Sequence, residues 1–344
     1  MSLKKIKSNC IIPSSAFSIL KSKIKLYDPS NRKKPEVGDL IFGKIAEIGH
    51  HKRVESTSAR LHSINIGTPA IFVFGNRYAP DQYEGLVPDT LAEQVDLFSQ
   101  GGVIGEVKTQ NQQLGVPTKV HVLGYISDTE GKVVNTRDHV LVKPKTVDRA
   151  KPGSKVILCI GTSMNSGKTH AAAACCYALS SAGKHVRAAK ITGTASLKDI
   201  LLMEDCGAEH IADFTYFGYP SSYLMDEERL LWMFHSFDRK YGNNARNYLV
   251  IEFADGIFQR ETAMLLRMPE VRSRIHKLIF CGPDSSAVFG GIHVLKEEFD
   301  LQPDAISGLC SSSPLAMREI STFSNLPVLR SIERNYEDIF SIIK

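Results

Sequence analysis

The chain has 344 residues, 43% hydrophobic and 23% charged, which is globular material with length for two domains. The net charge of +5 is unevenly placed: residues 1–34 carry nine Lys and Arg against one Asp, or +8, which leaves −3 for the remainder. This excludes a basic catalytic core and describes a basic N-terminal arm, most simply a solvated one, although such an arm suits nucleic acid or an acidic partner.

No apolar run reaches the roughly 20 residues of a membrane span, so no membrane partner is expected. Pro13, Ser14 and Ser15 interrupt the first apolar piece, which speaks against a signal peptide. Seven scattered cysteines without a CxxC pair read as reduced thiols of a cytoplasmic protein.

From Pro35 the pattern alternates apolar and polar residues with Gly at turns. Strands are predicted over residues 35–45, 70–74, 102–107, 118–123 and 139–142. The section 35–145 is expected to be a small β-barrel or β-sandwich. Its loop Gly75–Glu84 gathers polar, charged and aromatic side chains, and Arg77 and Asp81 are candidate ligand contacts against the plainer alternative of a salt bridge or turn cap. His50, His51 and Glu55 form another polar group. HHxxxE is not a familiar metal spacing, and adjacent histidines on a strand would point to opposite faces.

A polar, Pro-bearing linker over residues 146–153 leads to a second domain, 154–344. Strands are predicted at 156–160, 185–190, 210–214, 248–253, 277–281, 305–309 and 327–329. Helices are predicted to begin near Thr169, Leu197, Asp226, Arg260, Gly291 and Pro314. Such alternation predicts an α/β fold with a mostly parallel sheet, and ligands of such sheets bind at the carboxyl ends of the strands.

The first of these strands runs into Gly161-Thr162-Ser163-Met164-Asn165-Ser166-Gly167-Lys168-Thr169 and then an Ala-rich helix. A strand, a Gly-bounded loop and Gly-Lys-Thr at a helix start make a phosphate-binding loop. Gly167 lets the backbone turn tightly, loop N–H groups point at an anion, Lys168 adds a mobile charge, and Thr169 offers a hydroxyl to Mg²⁺. A plain strand-to-helix turn explains Gly167 but not a lysine at the positive end of a helix dipole. The nucleotide set is Gly161, Asn165, Ser166, Gly167, Lys168, Thr169 and His170, with ATP and Mg²⁺ as the expected cofactors. Glu252 ends the apolar run NYLVIE and joins Thr169 as a metal contact. Lys168, Lys190 and Asp255 are the catalytic candidates. Thr192, Thr194, Ser196, Gln259 and Arg260 are expected to line one substrate pocket, with the Arg260 fork as anchor for a carboxylate. For Arg260 the alternative is a residue that merely starts a helix.

GTSMNSGKT has the five-residue gap of the dethiobiotin synthetase loop, GTDTEVGKT. Lys190-Ile191-Thr192-Gly193 resembles that family's Lys-Pro-Val segment, and Glu252-Phe253-Ala254-Asp255-Gly256 is similar to its EGAGG motif. The resemblance covers about 155–330 and extends to the cobyrinate amidase-type P-loop group. It implies a P-loop NTPase-like domain in which Gly161, Gly167, Lys168 and Thr169 hold phosphates and Mg²⁺, Lys190 reaches the transferring phosphate or the substrate, and Glu252 binds Mg²⁺. Ser163 replaces the family's Asp, and Phe253 and Asp255 replace two small residues, so a different substrate is expected.

The leading function is an ATP- and Mg²⁺-dependent enzyme that phosphorylates a small carboxylate-bearing molecule. Three alternatives stay open: a polynucleotide kinase-like RNA-processing enzyme, a coenzyme A-dependent acyltransferase related to P-loop D-glutamate N-acetyltransferases, and a non-enzymatic nucleotide-gated switch. The expected partner is a small-molecule substrate. Nucleic acid is admitted but not favoured, because the second domain lacks a basic patch with interleaved aromatics, and a homodimer is left open.

Overall fold

The computed structural model describes residues 3–6, 10–142 and 153–344. It divides into two compact units. The first holds 1–143 together with Gly193–Lys198 and Phe214–Tyr223, and the second holds the rest. The boundary expected from sequence was a single one. Most of the expected linker, 146–152, lies outside the described residues.

The strands of the first unit are β1 (Lys4–Lys5), β2 (Leu26–Asp28), β3 (Leu40–Glu47), β4 (Arg53–Glu55), β5 (Leu61–Ser63), β6 (Pro69–Phe74), β7 (Tyr83–Leu86), β8 (Gln94–Leu97), β9 (Val103–Gln110) and β10 (Thr118–Ser127). Five of them pair in a closed ring: β3 with β6, β6 with β9, β9 with β8, β8 with β10, and β10 with β3. Alternation sends Ile41, Phe72, Phe74, Ile104 and Val120 into one core and Leu40, Phe42, Ile71 and Val73 into another on the opposite face.

The residues covering that second face correct the expectation of a solvated arm. Ala16, Ile19 and Ile24 are buried in the second core, and β2 pairs with β10. Burial of an Ile is worth about 1.5–3 kcal/mol, and Lys21, Lys23 and Lys25 beside these residues are exposed and do not oppose it. The strand expected at 139–142 is absent as well. His139 instead closes a 3-10 turn over Thr136–Asp138, and Leu141 N–H donates to Tyr216 O at 2.7 Å. The two inserted segments zip together: Ala195 N–H donates to Pro220 O at 2.9 Å and Ser222 N–H to Gly193 O at 2.9 Å.

The second unit is an α/β layer structure with strands β11 (Lys155–Gly161), β12 (His185–Lys190), β13 (His210–Asp213), β14 (Asn247–Glu252), β15 (Ile275–Cys281) and β16 (Ala305–Ser307). Its helices are α1 (Lys168–Ser181), α2 (Leu197–Asp205), which begins in the first unit, α3 (Glu227–Tyr241), α4 (Arg260–Arg267), α5 (Pro269–Arg272), α6 (Ser285–Phe299), α7 (Pro314–Ile320) and α8 (Tyr336–Ile343). All six strands are parallel, in the order β13-β12-β14-β11-β15-β16. The chain leaves β11 for β12 on one side and later returns to β15 on the other, so β11 stands at the point where the winding reverses. Helix α1 buries its alanines and cysteines and leaves His170, Tyr177, Ser180 and Ser181 exposed, as its Ala-rich composition allows.

Two expectations shift here. Helix α6 begins at Ser285 rather than near Gly291, because the Asp284 side chain caps Ala287 N–H at 2.8 Å. Residues 327–329 make only an isolated parallel bridge, Ile306 to Val328. The seven cysteines are free, and all except half-buried Cys10 are buried. Among the described residues no helix is long and apolar enough to cross a membrane.

Candidate phosphate-binding site

Strand β11 ends at Gly161, and α1 starts at Lys168 with Gly167 as its N-cap at φ 96°. A side chain at Gly167 would be strained by that angle and would lie 2.7 Å from Gly308 Cα. Gly308, just after β16, has φ 96°, and Leu309 N–H donates to Ser166 O at 3.1 Å. Gly256, after β14, packs against Thr162 O, and Ile257 N–H donates to Gly161 O at 3.0 Å. The loop is thus backed by glycine-bearing turns at the ends of two other strands. No sequence motif singled out Gly308.

Within the loop, Asn165 takes φ 61° and is exposed, Ser166 is buried, and His170 is exposed. Lys168 is only 5% exposed. Its Nζ donates to Ser163 O at 2.6 Å and Ser166 Oγ at 3.3 Å. Burial pushes its pKa down, and the Glu252 and Asp255 carboxylates oppose that shift.

Beside the loop, β12 and β14 end in register with Lys190 opposite Glu252. Thr169 Oγ1 donates to Glu252 Oε1 at 3.1 Å, Lys190 Nζ lies 3.3 Å from the same oxygen, and Asp199 Oδ2 takes Lys190 Nζ at 2.6 Å. Burial acts to lower the Lys190 pKa, but Asp199 and Glu252 outweigh it and hold the pKa above the usual lysine range. Glu252 Oε2 is buried with no hydrogen-bond partner among the described residues. Asp255 follows at φ 60°, a left-handed conformation that Asp tolerates.

The expected substrate residues are divided between the two units. Thr192 is 1% exposed, and its Oγ1 accepts from Ala254 N–H at 2.8 Å, tying the ends of β12 and β14 together. Gln259 is the N-cap of α4, accepting from Thr262 N–H at 2.9 Å. Both side chains are spent on the framework, so they are withdrawn as substrate contacts. Thr194 and Ser196 belong to the first unit, which removes the basis for grouping them with the loop. Arg260 donates to Met225 O at 2.7 Å and to Glu261 Oε1 at 2.5 Å. Its side chain is 46% exposed, and it lines an open groove of about 350 Å³ with Phe258, Met264, Arg267 and Phe299.

In the first unit Glu55 accepts from Leu197 N–H at 2.9 Å and Lys198 N–H at 3.2 Å, so it caps a helix start. His50 and His51 do not point apart, since neither is in a strand. Their rings are 4.9 Å apart, and both meet Tyr83 edge-on. Among the described residues no group of three or more His, Cys, Asp or Glu is placed to hold a metal.

His51 is 4% exposed and 3.4 Å from the Arg77 guanidinium. Burial first, then Arg77 and His50, push its pKa down to about 3. The unfolded chain therefore takes up a proton below about pH 6.5 that the folded chain refuses. Stability is full above that pH and falls as pH drops toward 3, by up to about 1.4 kcal/mol per pH unit from this group. Urea unfolding of the full chain between pH 7 and 4 should show that loss, and His51→Gln should remove this part of the slope. An unchanged slope in the variant contradicts the buried neutral histidine.

No family model matches the chain, and no curated protein matches it. Among solved structures it is similar to the signal recognition particle receptor FtsY from Elizabethkingia anophelis in complex with GDP, at 13% identity over 60% of this chain and 68% of that one, with a TM-score of 0.37. A second FtsY structure from that organism gives 16% identity over 62% and 75%, with a TM-score of 0.38. A ParA family ATPase from Chlorobium tepidum TLS gives 14% identity over 56% and 90%, with a TM-score of 0.35. None singles out the dethiobiotin synthetase group. At these scores the site's chemistry rests on its own geometry.

Proposed function

We propose that the second unit binds a nucleoside triphosphate with Mg²⁺ and uses it to phosphorylate, and so activate, a small anionic substrate. The observation that carries this reading is the meeting of Thr169, Lys190 and the half-satisfied Glu252 carboxylate beside a Gly-backed loop at a helix N-terminus. A buried carboxylate oxygen with no donor is costly, and a hard cation is the ligand its chemistry fits.

Thr169 Oγ1 and Glu252 would hold Mg²⁺. When bound, the ion neutralises charge on the phosphate oxygens. The loop N–H groups and the start of α1 bind phosphate. Lys168 Nζ has three donors and gives two to Ser163 O and Ser166 Oγ, which leaves a third for a phosphate oxygen. Lys190 brings a second cation to the transferring group. Asp255 accepts the proton of a substrate hydroxyl or amine as that group attacks the γ-phosphorus and the nucleoside diphosphate leaves, while the exposed face of Arg260 anchors the substrate's carboxylate.

The test is incubation of the full chain with γ-labelled ATP, Mg²⁺ and a panel of small carboxylates. Label transfer that depends on one carboxylate is the expected result. ATP binding with no turnover on any acceptor would turn the reading toward a switch, and coenzyme A binding in its place would turn it toward acyl transfer.

A further inference from the structure

Lys190 has two carboxylates within reach and is not midway between them. It lies 2.6 Å from Asp199 Oδ2 and 3.3 Å from Glu252 Oε1. Its side chain is 9% exposed, that of Glu252 2% and that of Asp199 21%. Glu252 Oε1 also accepts from Thr169, while Oε2 accepts from no donor among the described residues. Asp199 is in the first turn of α2 and takes no part in the phosphate loop.

We propose that Lys190 Nζ, shared between the two carboxylates, supplies the cation at Glu252 until a divalent ion arrives, and that it then gives up the longer contact to Glu252 and is held by Asp199 alone. Asp199 is on this account a positioning residue. The proposal relies on the nucleotide reading for the place of the metal, but its test needs no nucleotide.

A buried carboxylate without a cation costs several kcal/mol, and Lys190 supplies that cation. An ion bound to Glu252 would face an ammonium at close quarters, and two like charges in a buried site repel strongly. The lysine must therefore move, and its four-carbon stem lets it. The shorter contact to Asp199 marks the direction. Held there, the ammonium stays within the site.

Competition for Glu252 predicts effects of opposite sign on divalent-ion binding. The probe is Mn²⁺ alone, titrated into the full chain and followed by electron paramagnetic resonance. Lys190→Met should bind Mn²⁺ about tenfold more tightly than wild type, and Asp199→Asn about tenfold more weakly, each shift equal to about 1.4 kcal/mol. In Asp199→Asn the lysine loses its second carboxylate, and the balance shifts toward Glu252. The double variant should regain the tight binding of Lys190→Met, because Asp199 acts only through the lysine. If Lys190→Met does not fold, Lys190→Gln carries the same expectation.

Binding no tighter than wild type in a folded Lys190 variant overturns the proposal. So does a double variant as weak as Asp199→Asn, which would make Asp199 a ligand, and so does the absence of Mn²⁺ binding in every variant. Failure of the nucleotide reading would appear elsewhere, as wild-type protein that shows the Mn²⁺ pattern but binds no ATP.

Discussion

Lys168→Ala should lose nucleotide affinity by a factor of about 10 to 150 while the fold survives. The side chain is 5% exposed and curls over the loop to Ser163 O and Ser166 Oγ. Hydrogen bonds to a charged group are worth about 1.5–3 kcal/mol each, and phosphate oxygens would draw at least one from Nζ. Stability should change little, because the variant also removes a charge that burial disfavours. Calorimetry with ATP and Mg²⁺ beside a thermal melt separates the two effects. Equal ATP affinity in variant and wild type would mean that Lys168 contacts no phosphate.

Glu252→Gln should leave metal-free ATP binding within about threefold and remove most of the gain that Mg²⁺ brings. A carboxylate-to-amide change keeps the shape and one acceptor oxygen, so the hydroxyl of Thr169 retains a partner. It removes the negative charge that a hard cation requires, and it leaves Lys190 with Asp199 as its sole carboxylate among those described. The measurement is an Mg²⁺ titration of ATP affinity in both proteins. Identical Mg²⁺ curves would return Glu252 to a structural role.

Much of the second unit was legible because its strands are apolar runs that end at punctuating residues. Val156 to Ile160 could be placed from the run alone, and Gly-Lys-Thr after it located the helix start. Glu252 stood out as the acid closing NYLVIE. Interactions that depend on a side chain meeting distant backbone were not legible. Thr192 and Gln259 carry the polar groups of a substrate site, yet one ties two strand ends and the other caps α4. Asp199 was missed because an acid in a helix's first turn already has a reason to be there, the dipole. Gly308 was missed because a lone glycine after a short strand has no pattern, and only its close approach to Gly167 gives it meaning.

The N-terminal segment misled for another reason. Ile19 and Ile24 have neither helical nor strand spacing, while nine basic residues among thirty-four dominate the composition. Their burial follows from the outer faces of β3 and β6, which Leu40, Phe42, Ile71 and Val73 make apolar. A sequence read strand by strand shows that both faces of those strands are apolar but not what covers the second one.

The most direct measurement of the central claim is isothermal titration of the wild-type full chain with ATP, first with Mg²⁺ and then with EDTA. One site per chain, with affinity at least about tenfold tighter in Mg²⁺, or about 1.4 kcal/mol, is the predicted result. An absence of ATP binding, or binding indifferent to Mg²⁺ and to Lys168→Ala, would contradict it.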